Sequence, residues 1–292
     1  YTYDLNEHIF KGTLNASLYN NKWAQKLWAA VVDRKTIAED LPDEIRPSNS
    51  SINKSIGKRV TFGWQNNLTF FEDHLITAGI ETEEETASSS FSSESEWGHF
   101  ESEFPEQSVR TTGLYIQDQL NLDNKFFASV GFRYDDHENF GGKFTYRIAP
   151  AYFMSGTGTK IKASVGTGFK SPTLFYLYDP FFGNPELKPE TSFGWDAGIE
   201  QFLVSNRLSI GVTYFNTKFE DMFNFDENFK TVNVDEAETS GLEFFTALTN
   251  FNKFTVNLNY TYTIAEDLSD GVTEENKTLI RRPQHQASIN IK

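Results

Sequence analysis

Between Lys253 and Glu266 the chain reads KFTVNLNYTYTIAE. Val256, Leu258, Tyr260, Tyr262 and Ile264 fall on one side of an extended backbone. Thr255, Asn257, Asn259, Thr261 and Thr263 fall on the other. A helix would scatter these positions around its axis, whereas a strand separates them cleanly. The same period of two recurs over 125–134, where Phe126, Ala128, Val130, Phe132 and Tyr134 share a face. It recurs over 160–170 with Ile161, Ala163, Val165, Thr167 and Phe169, and over 190–200 with Phe193, Trp195, Ala197 and Ile199. Over 59–70, Val60, Phe62, Trp64, Leu68 and Phe70 line up in the same way. The β-branched and aromatic content of these stretches agrees with strands.

The pattern predicts about thirteen strands and no helix longer than two turns. The strands fall near 9–19, 24–38, 55–70, 74–87, 108–121, 125–137, 143–154, 160–170, 190–203, 206–219, 230–248, 253–266 and 279–292. The connections alternate in kind. Those near 20–23, 71–73, 122–124, 155–159, 204–205 and 249–252 are tight and rich in Asn, Asp and Gly, which suits turns. Those near 39–54, 88–107, 138–142, 171–189, 220–229 and 267–278 are mostly longer and polar. An up-and-down antiparallel sheet places these two sets at opposite rims. Short turns at one rim and long loops at the other are the mark of an outer-membrane barrel. The expected fold is therefore all-β, the wall of a transmembrane antiparallel up-and-down β-barrel, with its apolar face toward lipid and its polar face toward the lumen. Aromatic residues flank every short turn: Tyr19 and Trp23, Phe70 and Phe71, Phe126, Phe153, Phe202, and Phe251 with Phe254. They read as an interfacial girdle. A soluble sandwich of thirteen strands is too large, and no four-strand blade repeat is visible.

Composition narrows the choice. Among 292 residues there are 28 Phe, and the net charge is −15. The longest plainly apolar run, Leu27 to Val32, is far too short to span a bilayer as a helix. Nine Glu and no Lys or Arg lie between Glu81 and Gln107, so nucleic acid is not an expected partner. There is no Cys, hence no disulfide, thiolate metal site or Cys nucleophile. The five histidines are His8, His74, His99, His137 and His285. None stands in a nucleophile motif, and the chain is not expected to be an enzyme.

Two segments carry candidate chemistry. The first, KSPTLFYLYDPFFGNPELKPETS over 170–192, holds four prolines and five aromatic residues. Pro172, Pro180, Pro185 and Pro189 stiffen it, and Gly183-Asn184 offers a turn. Tyr176, Tyr178, Phe181 and Phe182 supply rigid contact area for a bulky planar ligand. Packing of the same rings onto neighbouring loops is the plainer reading. Asn184 and Glu190 read as turn and strand-start residues. The second is the acidic segment, where Glu94, Glu96, Glu101 and Glu103 are candidate oxygen ligands for calcium. No other cofactor is expected. Calcium needs six to eight oxygens gathered by tight backbone geometry, and a solvated acidic loop is the plainer alternative.

Several strings resemble the TonB-dependent receptors of the Gram-negative outer membrane. They are GTGFKSPTLFYLYD at 166–179, GNPELKPETS at 183–192, WDAGIE at 195–200, VNVDEAETSGLE at 232–243, NYTYTIAED at 259–267 and RRPQHQAS at 281–288. YIQDQLNL at 115–122 and SVGFRYDDH at 129–137 are similar to that family too. The order and spacing fit over 110–292; upstream the likeness rests mainly on HLITAGIETEEE at 74–85. The resemblance implies a barrel of about 22 strands around a plug. With about thirteen strands and no plug, the expectation is a single partial barrel domain over 1–292, part of a longer chain. The implied function is active uptake of a scarce metal chelate, energised by the Ton complex acting on the absent plug. The strings DPFFGNPELKPE and LIRRPQHQ look most like the vitamin B12 (cobalamin) branch, with ferric siderophores next. Haem stands third, because no His occurs from Phe169 to Leu187. A passive porin or a surface adhesin on the same barrel is the alternative. Outer-membrane lipid, the chelate and the Ton complex are the implied partners.

Overall fold

The computed structural model describes residues 1–69, 71–205, 207–251, 254–269, 271–273 and 277–292. Thirteen strands form one sheet in strict chain order, each antiparallel to the next. They are β1 (Thr2–Leu18), β2 (Trp23–Asp40), β3 (Ser50–Leu68), β4 (His74–Ser95), β5 (Gly98–Leu122), β6 (Phe126–His137) and β7 (Gly141–Met154). The sheet continues with β8 (Thr159–Lys170), β9 (Glu190–Leu203), β10 (Leu208–Phe225), β11 (Thr231–Phe251), β12 (Phe254–Asp267) and β13 (His285–Ile291). Among the described residues one short helix, α1 (Leu174–Tyr178), interrupts the series between β8 and β9.

The register explains the alternation read from the sequence. Leu14, Leu27, Trp64, Ile80, Leu114, Tyr134 and Phe144 are successive cross-strand partners through seven strands. All are exposed, from 41% to 73%. Farther round, Ile161, Ile199, Val212, Phe244 and Tyr260 continue the apolar face through five more. A continuous apolar band on an exposed face is what a lipid-facing wall requires. On the opposite face Arg59 pairs with Glu85, Arg133 bonds Asp135 at 2.7 Å, and Ser164 bonds Asp196. That face is the polar lumen wall.

Aromatic rings lie flat on the lumen wall where glycine leaves room. A Cβ at Gly63 would overlap the Trp28 indole, and one at Gly79 would overlap the Tyr115 ring. Arg133 stacks over Tyr115 at 5.7 Å and Lys26 over Trp28 at 5.7 Å, giving each ring a cationic cover.

The short turns are those the sequence marks. Asp123 and Asn124 take φ of +53° and +55°, and Lys125 N–H closes the turn on the Leu122 carbonyl at 2.9 Å. Two left-handed residues match the twist of the flanking strands. Near these turns Tyr19 stacks on Trp23 at 6.3 Å, and Phe153 meets Phe202 edge-on at 5.9 Å. Phe70, residues 252 and 253 and the side chain of Phe251 lie outside the described residues.

The other rim departs from expectation at several connections, 39–54 shrinking to 41–49 and 220–229 giving way to β10 as far as Phe225. Residues 88–107 are not a loop: β4 and β5 stay paired to Ser95 and Gly98, and the hairpin turns at Glu96 and Trp97. The 138–142 connection shrinks to residues 138–140. β4 and β5 reach 22 and 25 residues, against roughly 9–11 needed to cross a bilayer. Beyond the membrane both faces of a strand meet water, so the period of two vanishes while backbone pairing continues. The ends of the sheet differ as well. β1 begins earlier than the predicted 9, and β13 starts at His285 rather than near 279.

One irregularity positions everything that follows. Ala87 pairs with Gln107 but Ser89 pairs with Phe104, so β5 carries an extra residue around Pro105. Proline has no N–H to give the ladder and is at home in a bulge. The bulge switches the side-chain parity, so Phe104 and Val109 face the same way. Both are buried and pack against Leu174 of α1.

Candidate functional site: an aromatic shelf at the loop rim

The 171–189 segment folds inward onto the lumen face of β4 and β5. Thr173 caps α1, its Oγ1 accepting from Tyr176 N–H at 3.2 Å. Leu174 and Leu177 are the helix residues driven inward, Leu177 to 1% exposure. Asp179 Oδ1 then accepts from the N–H groups of Phe181 and Phe182, both at 2.9 Å. A short carboxylate bonding its own backbone two and three residues on is how Asp builds a turn. Asn184 does the same for Glu186 N–H at 3.0 Å, and its Nδ2 donates to the Thr231 carbonyl at 3.0 Å. Thr231 Oγ1 donates back to the Phe182 carbonyl at 2.8 Å. Lys188 and Asn233 exchange two bonds of 2.9 Å. Glu190 opens β9 and accepts from Phe223 N–H at 2.9 Å.

These bonds hold a run of rings. Phe91, Phe100, Phe181, Phe182, Phe225 and Tyr176 follow one another at centroid spacings of 6.1 to 6.3 Å. Tyr176 meets Phe223 at 5.6 Å, and Phe175 joins Phe182 to Phe104 at 6.1 and 6.5 Å. The four rings singled out in the sequence therefore divide. Tyr178 is half-buried and its hydroxyl donates to Asn139 Oδ1 at 2.7 Å, so it fastens the loop. Tyr176 is half-buried among Phe223 and Phe225. Phe181 and Phe182 stay exposed, at 50% and 36%. Phe175, Phe100 and Phe225 share that exposed surface and were not singled out by sequence. Phe175 carried a signal, lying in the same aromatic stretch. Phe100 and Phe225 carried none, since they arrive from two other elements, β5 and the end of β10. Below the shelf, a cavity of about 640 Å³ is lined by Phe104, Leu174, Phe175, Arg34, Arg59 and Glu85.

The acidic candidates lie elsewhere on the β4–β5 hairpin. Glu94 faces His99 across the hairpin, with Oε1 at 2.7 Å from Nδ1. Glu101 Oε1 lies 3.1 Å from His99 Nε2. Both carboxylates raise the His99 pKa, Glu101 more than Glu94, through their hydrogen bonds. Glu103 sits opposite Ser90, and Glu96 is in the turn. Among the described residues no group of three or more His, Cys, Asp or Glu side chains is arranged to hold a metal ion.

Comparison with known proteins agrees with this architecture. The family model described as TonB dependent receptor-like, beta-barrel, matches residues 1–292. The vitamin B12 transporter BtuB of Photobacterium profundum is 30% identical over 267 residues, covering 88% of this chain and 40% of that protein. The iron-regulated outer membrane virulence protein of Vibrio cholerae is 27% identical over 202 residues, covering 61% and 30%. The chain thus spans well under half the length of these relatives. Neither name describes an enzyme. Among solved structures, the ferric yersiniabactin uptake receptor FyuA of Yersinia pestis superposes with a TM-score of 0.76 at 13% identity, covering 98% of this chain and 47% of that one. The siderophore receptor PirA of Acinetobacter baumannii gives 0.74 at 16%, covering 99% and 48%. At such identities the likeness is one of fold. With its apolar outer band, polar inner wall and full-length family match, the chain belongs to the TonB-dependent receptor β-barrel family of the Gram-negative outer membrane.

Proposed function

We propose that this chain is the loop-bearing wall of a receptor that captures a bulky metal chelate, cobalamin or a ferric siderophore, and imports it with energy from the Ton complex. The observation that carries the reading is the aromatic shelf of Phe175, Phe181 and Phe182, held at the loop rim above a polar lumen wall. Exposed rings at fixed spacing give a large planar ligand contact area at low entropic cost. The names of the sequence relatives support both cargo classes, one a vitamin B12 transporter and one iron-regulated. Coupling to the Ton complex would run through a plug seated in the lumen. The wall contributes shape, loops and a wet path, and does no covalent chemistry.

The test is growth of a receptor-null strain on limiting B12 or limiting iron, with the full-length gene supplied. Rescue that needs the Ton complex supports active uptake. Rescue that persists without it points to a passive porin. Titration of full-length protein with cyanocobalamin and with several ferric siderophores then assigns the cargo.

A further inference from the structure

The shelf loop is fastened to the β6–β7 turn through one side chain. Asn139 Oδ1 accepts from the Tyr178 hydroxyl at 2.7 Å, and Asn139 Nδ2 donates to the Pro185 carbonyl at 3.1 Å. These two bonds grip the loop on both sides of its Asp179 turn. Asn139 is itself held from behind. Its backbone N–H donates to His137 Nδ1 at 3.2 Å. An imidazole nitrogen accepts only when it carries no proton, so this bond requires the neutral ring with its hydrogen on Nε2.

His137 is only 3% exposed, and its ring stacks on Phe140 at 4.0 Å with planes 10° apart. It lies three residues beyond the Leu114–Tyr134 rung, on the loop side of the apolar band. The charged groups that face it are Glu85 from β4, Asp136 on its own strand and Glu138 in the turn. β5 and β7 place Thr111 and Gly141 opposite it, neither of which titrates. The next pair along is Asp135 facing Lys143, with Asp135 already bonded to Arg133.

We infer that His137 and Asn139 form a proton-sensitive latch, in which Asn139 is the positioning residue for the aromatic shelf and neutral His137 holds Asn139 in place. A proton taken from solvent at Nδ1 removes the acceptor and leaves the Asn139 N–H without its partner. The turn then loosens, and the Tyr178 and Pro185 bonds loosen with it. The direction of the pH response follows from burial, which lowers the His137 pKa against the opposing pull of Glu85, Glu138 and Asp136. A histidine whose folded pKa is depressed contributes order above the ordinary value of about 6.5 and loses it as pH falls through the lowered one. The shelf is therefore fixed at neutral pH and released in acid.

Hydrogen exchange of the full-length receptor tests this, read on peptides covering 174–187 and corrected for intrinsic exchange. The two conditions are about pH 7.5 and about pH 4.5, either side of the ordinary histidine value. Wild-type protection should drop about tenfold in acid, the factor expected when a partly buried hydrogen bond loses its acceptor. His137→Asn keeps an acceptor near the Nδ1 position and cannot titrate, so its loop should stay protected at both pH values. Asn139→Ala should lie near the acid level at both. Equal wild-type protection at the two pH values overturns the latch, and so does a His137→Asn loop that responds to acid as wild type does. If His137→Asn fails to assemble, Asn139→Ala decides: a loop as protected as wild type at neutral pH also overturns it. The readout does not involve cargo, so a negative result leaves the uptake proposal standing.

Discussion

Tyr178 and Asn139 meet through a 2.7 Å hydrogen bond although 39 residues separate them. The bond ties a proline-stiffened loop to a three-residue turn, and so sets where the exposed rings of that loop stand. Removing only the hydroxyl, in Tyr178→Phe, keeps the ring but leaves Asn139 Oδ1 short of a donor. Local stability of the 174–187 segment should fall by about 1 kcal/mol, seen as faster amide exchange with no change in the peptides of β6 or β8. Unchanged exchange in the loop would show that the bond does not fasten it.

Phe181→Ala and Phe182→Ala separate contact from folding. Both rings are exposed, so the barrel should keep its resistance to SDS at room temperature. Affinity for the cargo found by titration should weaken by about 1–2 kcal/mol for each ring that touches it. Leu177→Ala offers the contrast. Leu177 is buried at 1% exposure, and its truncation should cost about 2–5 kcal/mol of local order. A Phe181→Ala, Phe182→Ala double variant with wild-type affinity for every cargo tried would remove the shelf from the binding site.

The apolar band predicts where charge is forbidden. Ile116 pairs with Phe132 one step inside the Leu114–Tyr134 rung and faces lipid. Ile116→Arg should cost about 2–4 kcal/mol if it lies at the bilayer midplane and less toward either interface. Gln117→Arg, the next residue on the lumen face, should be tolerated. Unfolding of the two variants in lipid vesicles by guanidinium is the measurement, and equal stabilities would contradict the assigned faces.

His99 gives a pH response opposite in sign to that of His137. Its pKa is raised by hydrogen bonds to Glu101 and then Glu94. Whatever the charged imidazole contributes to the hairpin tip is fully present below about 6.5 and is lost as pH rises through the raised value. A ¹³C-histidine NMR titration should place His99 above the ordinary range, and Glu101→Gln should bring it down. A His99 that titrates normally in the wild type would show that the two carboxylates are not its partners in solution.

Much of the wall was legible in the residues, and the reason is local. Wherever one side of a strand meets lipid and the other meets water, side chains must alternate, as Val256 to Ile264 do. Where both sides meet water the rule lapses, and 88–107 looked like a loop although its backbone is paired. The candidate site was half legible. Tyr176, Tyr178, Phe181 and Phe182 stood out because four prolines and five aromatics share one short stretch. That Tyr178 fastens while Phe181 and Phe182 are displayed could not be read there.

By itself, then, the sequence determined the strands, their two faces, the alternation of turns with loops and the family strings around the proline-rich segment. Each of these depends on neighbours along the chain or on which solvent a face meets. Only the tertiary structure decided how the shelf is assembled. The extra residue at Pro105 turns Phe104 inward, Asn139 reaches Tyr178 and Pro185, and Phe100 and Phe225 arrive from separate strands. Such contacts depend on register and bulges summed over several strands. No local pattern encodes them.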